Sequence, residues 1–207
     1  GAAGEDLDNV KLAKQDTDVK GTDVKSIVKS AEEKMSKTIE NTKAALGAIR
    51  TGRPSPNILD KIMVSYYGSE TPLPQVATVQ VMGASQISVE PYEKDLLKEI
   101  EKAIQMSDLG MTPNNDGNMI RLNIPPLTSE TRAKYAKQAK AVAEDGKVAV
   151  RNIRRGGVDA IKKLEKNGDI GEDESKGVQD DIQKNTDKAV KEIDTLCEAK
   201  EKELSKV

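Results

Sequence analysis

Three long stretches in which apolar residues recur at steps of three and four constrain the fold of this chain more than any other feature. The first runs from about residue 22 to Ile49, the second from Tyr135 to Leu164, and the third from Val178 to Leu204. Residues at these steps share one face of an α-helix, and that face needs another helix to cover it. Because Asn167-Gly168-Asp169 leaves only a short connection between the second and third stretches, these two helices should run antiparallel.

Residues 53–126 follow a different pattern, in which short stretches rich in β-branched residues alternate with turn residues, as strands do. The predicted fold class is therefore α+β: a long antiparallel three-helix bundle, formed by residues 22–52 and 127–207, into which a small β/α/β domain, residues 53–126, is inserted. Residues 1–21 are polar and lack a sustained period, which predicts a flexible leader. The inserted domain is expected to contain strands at Ile62–Gly68, Val76–Val81, Ile87–Glu90 and Met119–Ile124, a helix at Asp95–Met106 and a turn at Asn114–Asn118.

Glycine and proline mark both junctions between the bundle and the inserted domain. Gly52 and Pro54 follow the first helix, and Pro125 and Pro126 precede the second. Proline cannot continue the hydrogen-bond ladder of a helix, and glycine commonly ends one. Since only two short connections join the domains, we expect these four residues to act as hinges.

The residue types that this chain lacks exclude several classes of function. It has no histidine, so no imidazole base and no histidine metal ligand is available. Cys197 is the only cysteine, which excludes an internal disulfide and a cysteine-cluster zinc site, and we expect it to pack as a small apolar residue. The sequence shows no glycine-rich phosphate loop and no apolar run long enough to cross a membrane. The expectation is therefore no catalysis, no metal and no cofactor.

The segment around Arg151 is the strongest candidate for a binding surface. Ala149 and Ile153 belong to the core-facing stripe, and Arg151 lies about 200° around the helix from each, so it should point to solvent. Arg154 and Arg155 follow it by about one turn and should share its face, as Lys147 should one turn before it. Such a run is commonly just a solvated helix face, but the absence of acids from residue 147 to residue 158 favours phosphate binding.

Glycine is frequent in the same helix. Gly146, Gly156 and Gly157 are each about 1 kcal/mol less favourable than alanine in a helix interior, so this helix is expected to be locally soft there.

Arginines at the ends of the first two helices are further candidates. Arg50 and Arg53 flank the first junction, where Arg50 could either interact with the helix dipole or contact RNA. Arg132 begins the second helix, where its charge opposes the dipole, which favours a functional role. The chain has no Phe or Trp and only four scattered tyrosines, so a base-stacking platform is not expected. RNA would instead be recognised as a folded molecule, through backbone charge and shape.

Six motifs that occur in this order together resemble the ribosome recycling factor family. The resemblance runs from about Val24 to the C-terminus. The motifs are Ile49-Arg50-Thr51-Gly52-Arg53-Pro54-Ser55-Pro56, Tyr66-Tyr67-Gly68 with Thr71-Pro72-Leu73, Ser107-Asp108-Leu109-Gly110 followed by Pro113-Asn114, Ile124-Pro125-Pro126-Leu127-Thr128, the stretch from Val148 to Arg155, and Gln179-Asp180-Asp181-Ile182-Gln183-Lys184.

The resemblance implies an L-shaped, tRNA-like monomer that is not an enzyme and that needs no cofactor. It implies binding to the post-termination ribosome, at large-subunit rRNA near the A/P region and the intersubunit bridge, and subunit separation together with elongation factor G and GTP. Arg154 matches the arginine on which the family depends most. By motif match the RNA contacts would be Arg50, Arg53, Arg132, Arg151, Asn152, Arg154 and Arg155, with Lys147 beside them.

Two questions stay open at the level of sequence. The polar leader and the closeness of the rest to the bacterial pattern suggest the plastid stroma, with the mitochondrial matrix or a bacterial cytoplasm as alternatives. The alternative function is a helical scaffold or chaperone-like module that binds protein and not RNA. An enzyme using paired acids such as Asp180 and Asp181 is disfavoured, because adjacent helical residues diverge by about 100°.

Overall fold

The computed structural model describes residues 15–52, 54 and 56–206, which form two compact units. The first unit contains the described residues up to Arg50 and those from Ser129 onward, and the second spans Thr51–Thr128.

Three long helices form the first unit: α1 (Val24–Gly47), α4 (Ser129–Lys166) and α5 (Glu172–Ser205). Helix α1 begins at a capping box, in which the Asp23 carboxylate accepts from the Ser26 amide at 2.8 Å and the Ser26 hydroxyl bonds back to Asp23. Helix α4 has 38 residues and is about 57 Å long at 1.5 Å per residue. All three helices pack against one another, as the apolar periodicity predicts.

Close approaches between the helices define their directions. Gly146 of α4 lies against Thr42 of α1 and Ile193 of α5, whereas Gly157, three turns further along α4, lies against Ala31 and Ile182. Helix α4 therefore runs antiparallel to both of its neighbours, and α1 and α5 run parallel. The largest fully buried side chains described in this unit are all isoleucines, at positions 27, 153, 161, 182 and 193.

Two of the glycines in α4, Gly146 and Gly157, lie at close contacts between helices. A Cβ at Gly146 would lie 2.4 Å from Thr42 Oγ1, and one at Gly157 would lie 3.3 Å from Ile182 Cδ1. These two buried glycines allow the helices to approach closely. Gly156 faces outward from this contact, with its nearest neighbour Val19 at 3.5 Å. The helix continues unbroken through all three positions.

Residues 15–21, at the end of the segment predicted to be a flexible leader, make specific contacts with the bundle. Asp16 forms an ion pair with Lys34, and the Lys20 amide donates to Ser30 Oγ at 3.0 Å. Val19 is partly buried against a cluster formed by Ile27, Ile161 and Ile182. These contacts differ from the free leader that composition predicts; residues 1–14 lie outside the described residues.

The second unit is built on two antiparallel sheets, a hairpin of β1 (Met63–Tyr66) and β2 (Ser69–Pro72) and a four-stranded sheet. The larger sheet has the order β3-β4-β6-β5, with β3 at Ala77–Met82, β4 at Gln86–Pro91, β5 at Pro113–Asn115 and β6 at Ile120–Asn123. The described part of the unit also contains two α-helices, a single turn α2 (Leu73–Val76) and α3 (Leu97–Gln105), and two short 3-10 helices at Pro56–Leu59 and Lys94–Leu96. Leu97, Ile100 and Ile104 of α3 are buried in a core that also takes residues from the strands, including Ile87, Val89, Ile120 and Leu122.

Two strands were not predicted. Strand β2 follows the predicted strand at once, because Tyr67 and Gly68 reverse the chain and Tyr66 pairs with Ser69. Strand β5 includes Asn114 and Asn115, which were predicted to belong to a turn; the turn itself lies further on, where the Asp116 carboxylate accepts from the Asn118 and Met119 amides. Asparagine is uncommon in strands, and here pairing with β6 overrides that local preference.

Candidate nucleic-acid interface

The outer face of helix α4 carries the predicted basic residues, and the structure divides them between two surfaces. Arg151 and Arg154 line a groove between α4 and α5, with a volume of about 550 Å³. Asn152 and Arg155 instead line a cavity of about 410 Å³ that α4 forms with residues 17–19. Adjacent residues on a helix lie about 100° apart, so a four-residue stretch necessarily spreads over more than one side. The prediction that Arg154 and Arg155 share one surface with Arg151 is therefore only partly correct.

The groove between α4 and α5, which we call the arginine groove, carries both signs of charge. Arg151 and Arg154 come from α4, whereas Lys191, Asp187 and Asp194 come from α5. Asp187 accepts a hydrogen bond from Gln183 within its own helix, at 2.9 Å. The groove is thus a cationic site with carboxylates on one wall, and those carboxylates were not apparent from the sequence around Arg151. The remaining lining residues are Gln183, Thr186 and Val190.

Lys147 forms ion pairs with acidic residues of the bundle itself. Its ammonium donates to Asp194 Oδ1 at 2.8 Å and lies 3.6 Å from Glu144, and only 19% of its side chain is exposed. The hydrogen bond with Asp194 raises the pKa of Lys147 above its ordinary value. As predicted, α4 has no acidic residue from residue 147 to residue 158, but α5 brings Asp194 into contact with Lys147. Lys147 therefore joins α4 to α5 and neutralises Asp194, one of the two carboxylates that line the arginine groove.

The arginines differ in how freely they can reach a ligand. Arg151 is 3.6 Å from Glu144 and its side chain is 48% exposed. Among the described residues, neither Arg154 nor Arg155 has an ion-pair partner, so both keep their donors for another molecule. Arg154 is partly buried, which corrects the expectation that it points fully into solvent. Arg154 lines the arginine groove, so partial burial there limits the directions that its side chain can take.

Arg155 lies beside the ordered segment that precedes α1. Its cavity is lined by Thr17, Asp18 and Val19 from that segment and by Asn152, Gly156 and Asp159 from α4. Asp18 and Asp159 bring negative charge to this side of the helix. Phosphate binding is therefore less favoured around Arg155 than in the arginine groove, where Lys147 neutralises Asp194.

Two of the three candidates at the helix ends, Arg50 and Arg132, lie within the described residues. Arg50 is exposed and lies three residues beyond the end of α1 at Gly47, past the last helical turn. Arg132 lies in the first turn of α4 and is partly buried. Arg53 lies outside the described residues.

The predicted hinge residues include one that requires glycine. Gly52 has a φ of +77°, and a Cβ there would come within 3.2 Å of Leu127 Cγ. The two connecting segments therefore lie side by side at this point. Pro54 is partly buried, whereas Pro125 and Pro126 are exposed and precede α4 without regular structure.

The described part of the chain shows no metal site and no membrane-spanning helix, and its one cysteine is buried. There, no three carboxylate or thiol groups come together in a way that could hold a metal ion. None of its helices is long and apolar enough to cross a membrane. Cys197 is buried and free, its Sγ lies 3.7 Å from the Ala139 carbonyl, and burial raises the pKa of its thiol. The expectation that Cys197 packs as a small apolar residue is confirmed.

The fold and the candidate site define the class of this protein as a two-unit protein, a long three-helix unit with an arginine-lined groove joined to an α/β unit. The family model for ribosome recycling factor matches residues 42–204. Ribosome-recycling factor of Trichodesmium erythraeum is 53% identical over 180 residues, covering 87% of this chain and 99% of the relative. That of Caldicellulosiruptor bescii is also 53% identical over 180 residues, covering 87% and 98%. The chain belongs to the ribosome recycling factor family, whose members are translation factors without enzymatic activity.

Solved structures of the family have the same fold. A solution structure of ribosome recycling factor matches with a TM-score of 0.68 and 38% identity, over 91% of this chain and all of that one. A model of the T. thermophilus factor and E. coli elongation factor G on the E. coli post-termination complex matches with a TM-score of 0.57 and 40% identity. It covers 88% of this chain and 99% of that chain. The α+β fold class is confirmed, and the alternative of a helical scaffold without RNA binding is not favoured.

Proposed function

We propose that this protein binds the post-termination ribosome as a monomer and, together with elongation factor G and GTP, separates its subunits. The proposal is supported by family membership and by the related factor in the complex with elongation factor G and the ribosome. The arginine groove carries the proposal at the level of residues. Arg154 has no partner among the described residues, it is partly buried in the groove, and an arginine fork suits phosphate oxygens.

Large-subunit rRNA is the proposed ligand of this face, near the A/P region and the intersubunit bridge. Arg151 and Arg154 would make the leading contacts, with Asn152 and Arg155 at the margin beside residues 17–19. Lys147 would serve mainly to hold Asp194 away from the RNA, since it is already bound to that carboxylate. Arg50, Arg53 and Arg132 would extend the contact toward the junction between the units.

Motion at the junction is the second part of the proposal. Gly52, Pro54, Pro125 and Pro126 would act as hinges, and the α/β unit would change its position relative to the bundle during subunit separation. The support is that only two short connections, which meet at Gly52 and Leu127, join the units.

Substitution of Arg154 tests the RNA contact. Losing a charge-assisted contact costs on the order of 1.5–3 kcal/mol, so Arg154→Ala should weaken binding to vacant ribosomes by tenfold or more. Because Arg154 is only partly buried, the free energy of unfolding should fall by about 1 kcal/mol or less. Arg154→Lys should rescue binding only in part, since an ammonium lacks the bidentate fork.

A matched control distinguishes this contact from a general loss of charge. Lys188 lies in the groove between α1 and α5, on the side of the bundle away from α4. Lys188→Ala removes the same charge and should leave ribosome affinity within about twofold, since exposed charges away from the contact contribute little. Affinity measured by co-sedimentation should also fall as salt rises from about 50 to 200 mM. Equal losses for Arg154→Ala and Lys188→Ala, or binding insensitive to salt, would contradict the proposed site.

The plastid stroma is the proposed location, with the mitochondrial matrix and a bacterial cytoplasm as alternatives. It is supported by identities of 50–53% to factors from bacterial strains, which suit a compartment with bacterial-type ribosomes. Immunodetection in purified plastids and mitochondria of the source organism tests it, and a signal confined to another compartment would contradict it.

A further inference from the structure

The turn between β1 and β2 contains a tyrosine where the backbone conformation disfavours one. Tyr66 pairs with Ser69, so Tyr67 and Gly68 form a two-residue turn, with φ values of +49° and +81°. Turns with two positive φ values favour Asn-Gly, and a left-handed conformation is unfavourable for a residue with a bulky side chain. Tyr67 is the only described non-glycine residue with a positive φ. Local turn chemistry therefore does not explain this residue.

Core packing does not explain it either. The Tyr67 side chain is 81% exposed, although its orientation is fixed. Its hydroxyl donates to one oxygen of Glu93 at 3.1 Å, and the Tyr66 hydroxyl donates to the other at 2.9 Å. The two rings pack edge to face, with centroids 4.6 Å apart. The hydrogen bonds to Glu93 raise the pKa of both tyrosines, so both remain protonated donors.

The surface around this ring is acidic. Glu93 is bound to Tyr67, and Asp95 acts on it through its charge. The unit as a whole, residues 51–128, has nine acidic and six basic residues. The phosphates of RNA would be repelled here, whereas an arginine could stack on the ring and lie close to Glu93.

We propose that Tyr67, held by Glu93, docks an arginine in a basic protein segment of the ribosome. This inference rests on the proposed function, because it assigns a protein contact to the α/β unit in the same complex. The fixed ring reduces the conformational entropy lost on binding. The unfavourable turn residue is retained for contact with a partner and not for stability of the hairpin.

The first test separates stability from binding. Tyr67→Asn places the favoured residue in the turn, so the variant should melt at or above the wild-type temperature. It should nevertheless slow subunit separation by about two- to fivefold, the range expected for loss of an exposed cation–π contact. Tyr67→Phe keeps the ring and removes only the hydroxyl, so it should retain most of the activity. Full activity in Tyr67→Asn, or loss that follows a fall in melting temperature, would overturn the inference.

The second test identifies the partner. The photoreactive residue p-benzoylphenylalanine is introduced at position 67 of the full chain, and at Met106, also exposed in the same unit, as the control. Each variant is bound to vacant ribosomes and irradiated. Position 67 should crosslink to a ribosomal protein, at a peptide that contains arginine, and Met106 should not give the same product. Crosslinks to rRNA alone, or none from a variant that co-sediments, would overturn the inference. Wild-type protein that fails to co-sediment would refute the proposed function itself.

Discussion

Gly146 is the position where the structure opposes a simple rule about helices. In an exposed helix interior, replacing glycine by alanine stabilises a protein by about 1 kcal/mol. Here the new methyl group would lie 2.4 Å from Thr42 Oγ1 and 3.3 Å from Ile193 Cδ1. Thr42 is fully buried, and its hydroxyl is fixed by donation to the Thr38 carbonyl at 2.8 Å. The neighbouring helix would therefore have to move.

The expected effect of Gly146→Ala is the difference between two contributions. Overpacking of a buried contact costs typically 1–3 kcal/mol, against about 1 kcal/mol gained in helix propensity. The free energy of unfolding should therefore fall by about 0–2 kcal/mol. Gly156 provides the matched control ten residues further along the same helix, since a methyl group there would make only ordinary van der Waals contacts, with Val19 at 3.5 Å and the Thr17 carbonyl at 3.7 Å. Gly156→Ala should stabilise the protein by about 0.5–1 kcal/mol.

Urea unfolding followed by circular dichroism at 222 nm measures both variants, because most of the helical residues belong to the bundle. Gly146→Ala should be about 1–3 kcal/mol less stable than Gly156→Ala, by the same two contributions. The Thr42→Ala substitution removes the obstructing atoms, so adding Gly146→Ala to it should be less harmful than in the wild type. If Gly146→Ala stabilises the protein as much as Gly156→Ala, close helix approach is not the reason for this glycine.

Three further predictions concern charge and the segment before α1. Lys147→Met should lower the free energy of unfolding by about 0.5–1.5 kcal/mol at pH 8. The Asp194 hydrogen bond raises the pKa of Lys147, so this contribution is complete below the ordinary lysine pKa, near 10.4. The urea midpoints of variant and wild type should therefore converge as pH rises above that value. Hydrogen bonds from the Met119 and Asn118 amides lower the pKa of Asp116. The contribution of Asp116 to the stability of the α/β unit is therefore present above pH ~4 and is lost as pH falls through the lowered pKa. Asp116→Asn should remove this pH dependence from acid unfolding of the unit. Val19→Asp should release residues 15–21 and speed hydrogen exchange at the Lys20 amide about tenfold without changing the global urea midpoint, and unchanged exchange would contradict the observed packing.

The candidate interface shows how far the sequence leads toward a site. Helical spacing correctly places Arg151 on the outer side of α4, because the phase of a helix is a local property. Spacing along α4 could not reveal the bond between Lys147 and Asp194, because these residues are 47 positions apart and their contact depends on the register between two helices. For the same reason the sequence did not show that Arg154 lines a groove with α5, or that Arg155 lies beside residues 17–19.

By itself, the sequence determined the three long helices, the presence of an inserted α/β unit and the absence of histidine chemistry. Apolar periodicity and composition are local, and each long helix repeats its signal many times. Only the tertiary structure decided that β2 and β5 are strands, that Gly146 is a point of helix contact and that Tyr67 is both strained and exposed. These features depend on pairing and packing between distant segments. A short strand or a single glycine has too few local contacts to specify its own environment, so its partners decide it.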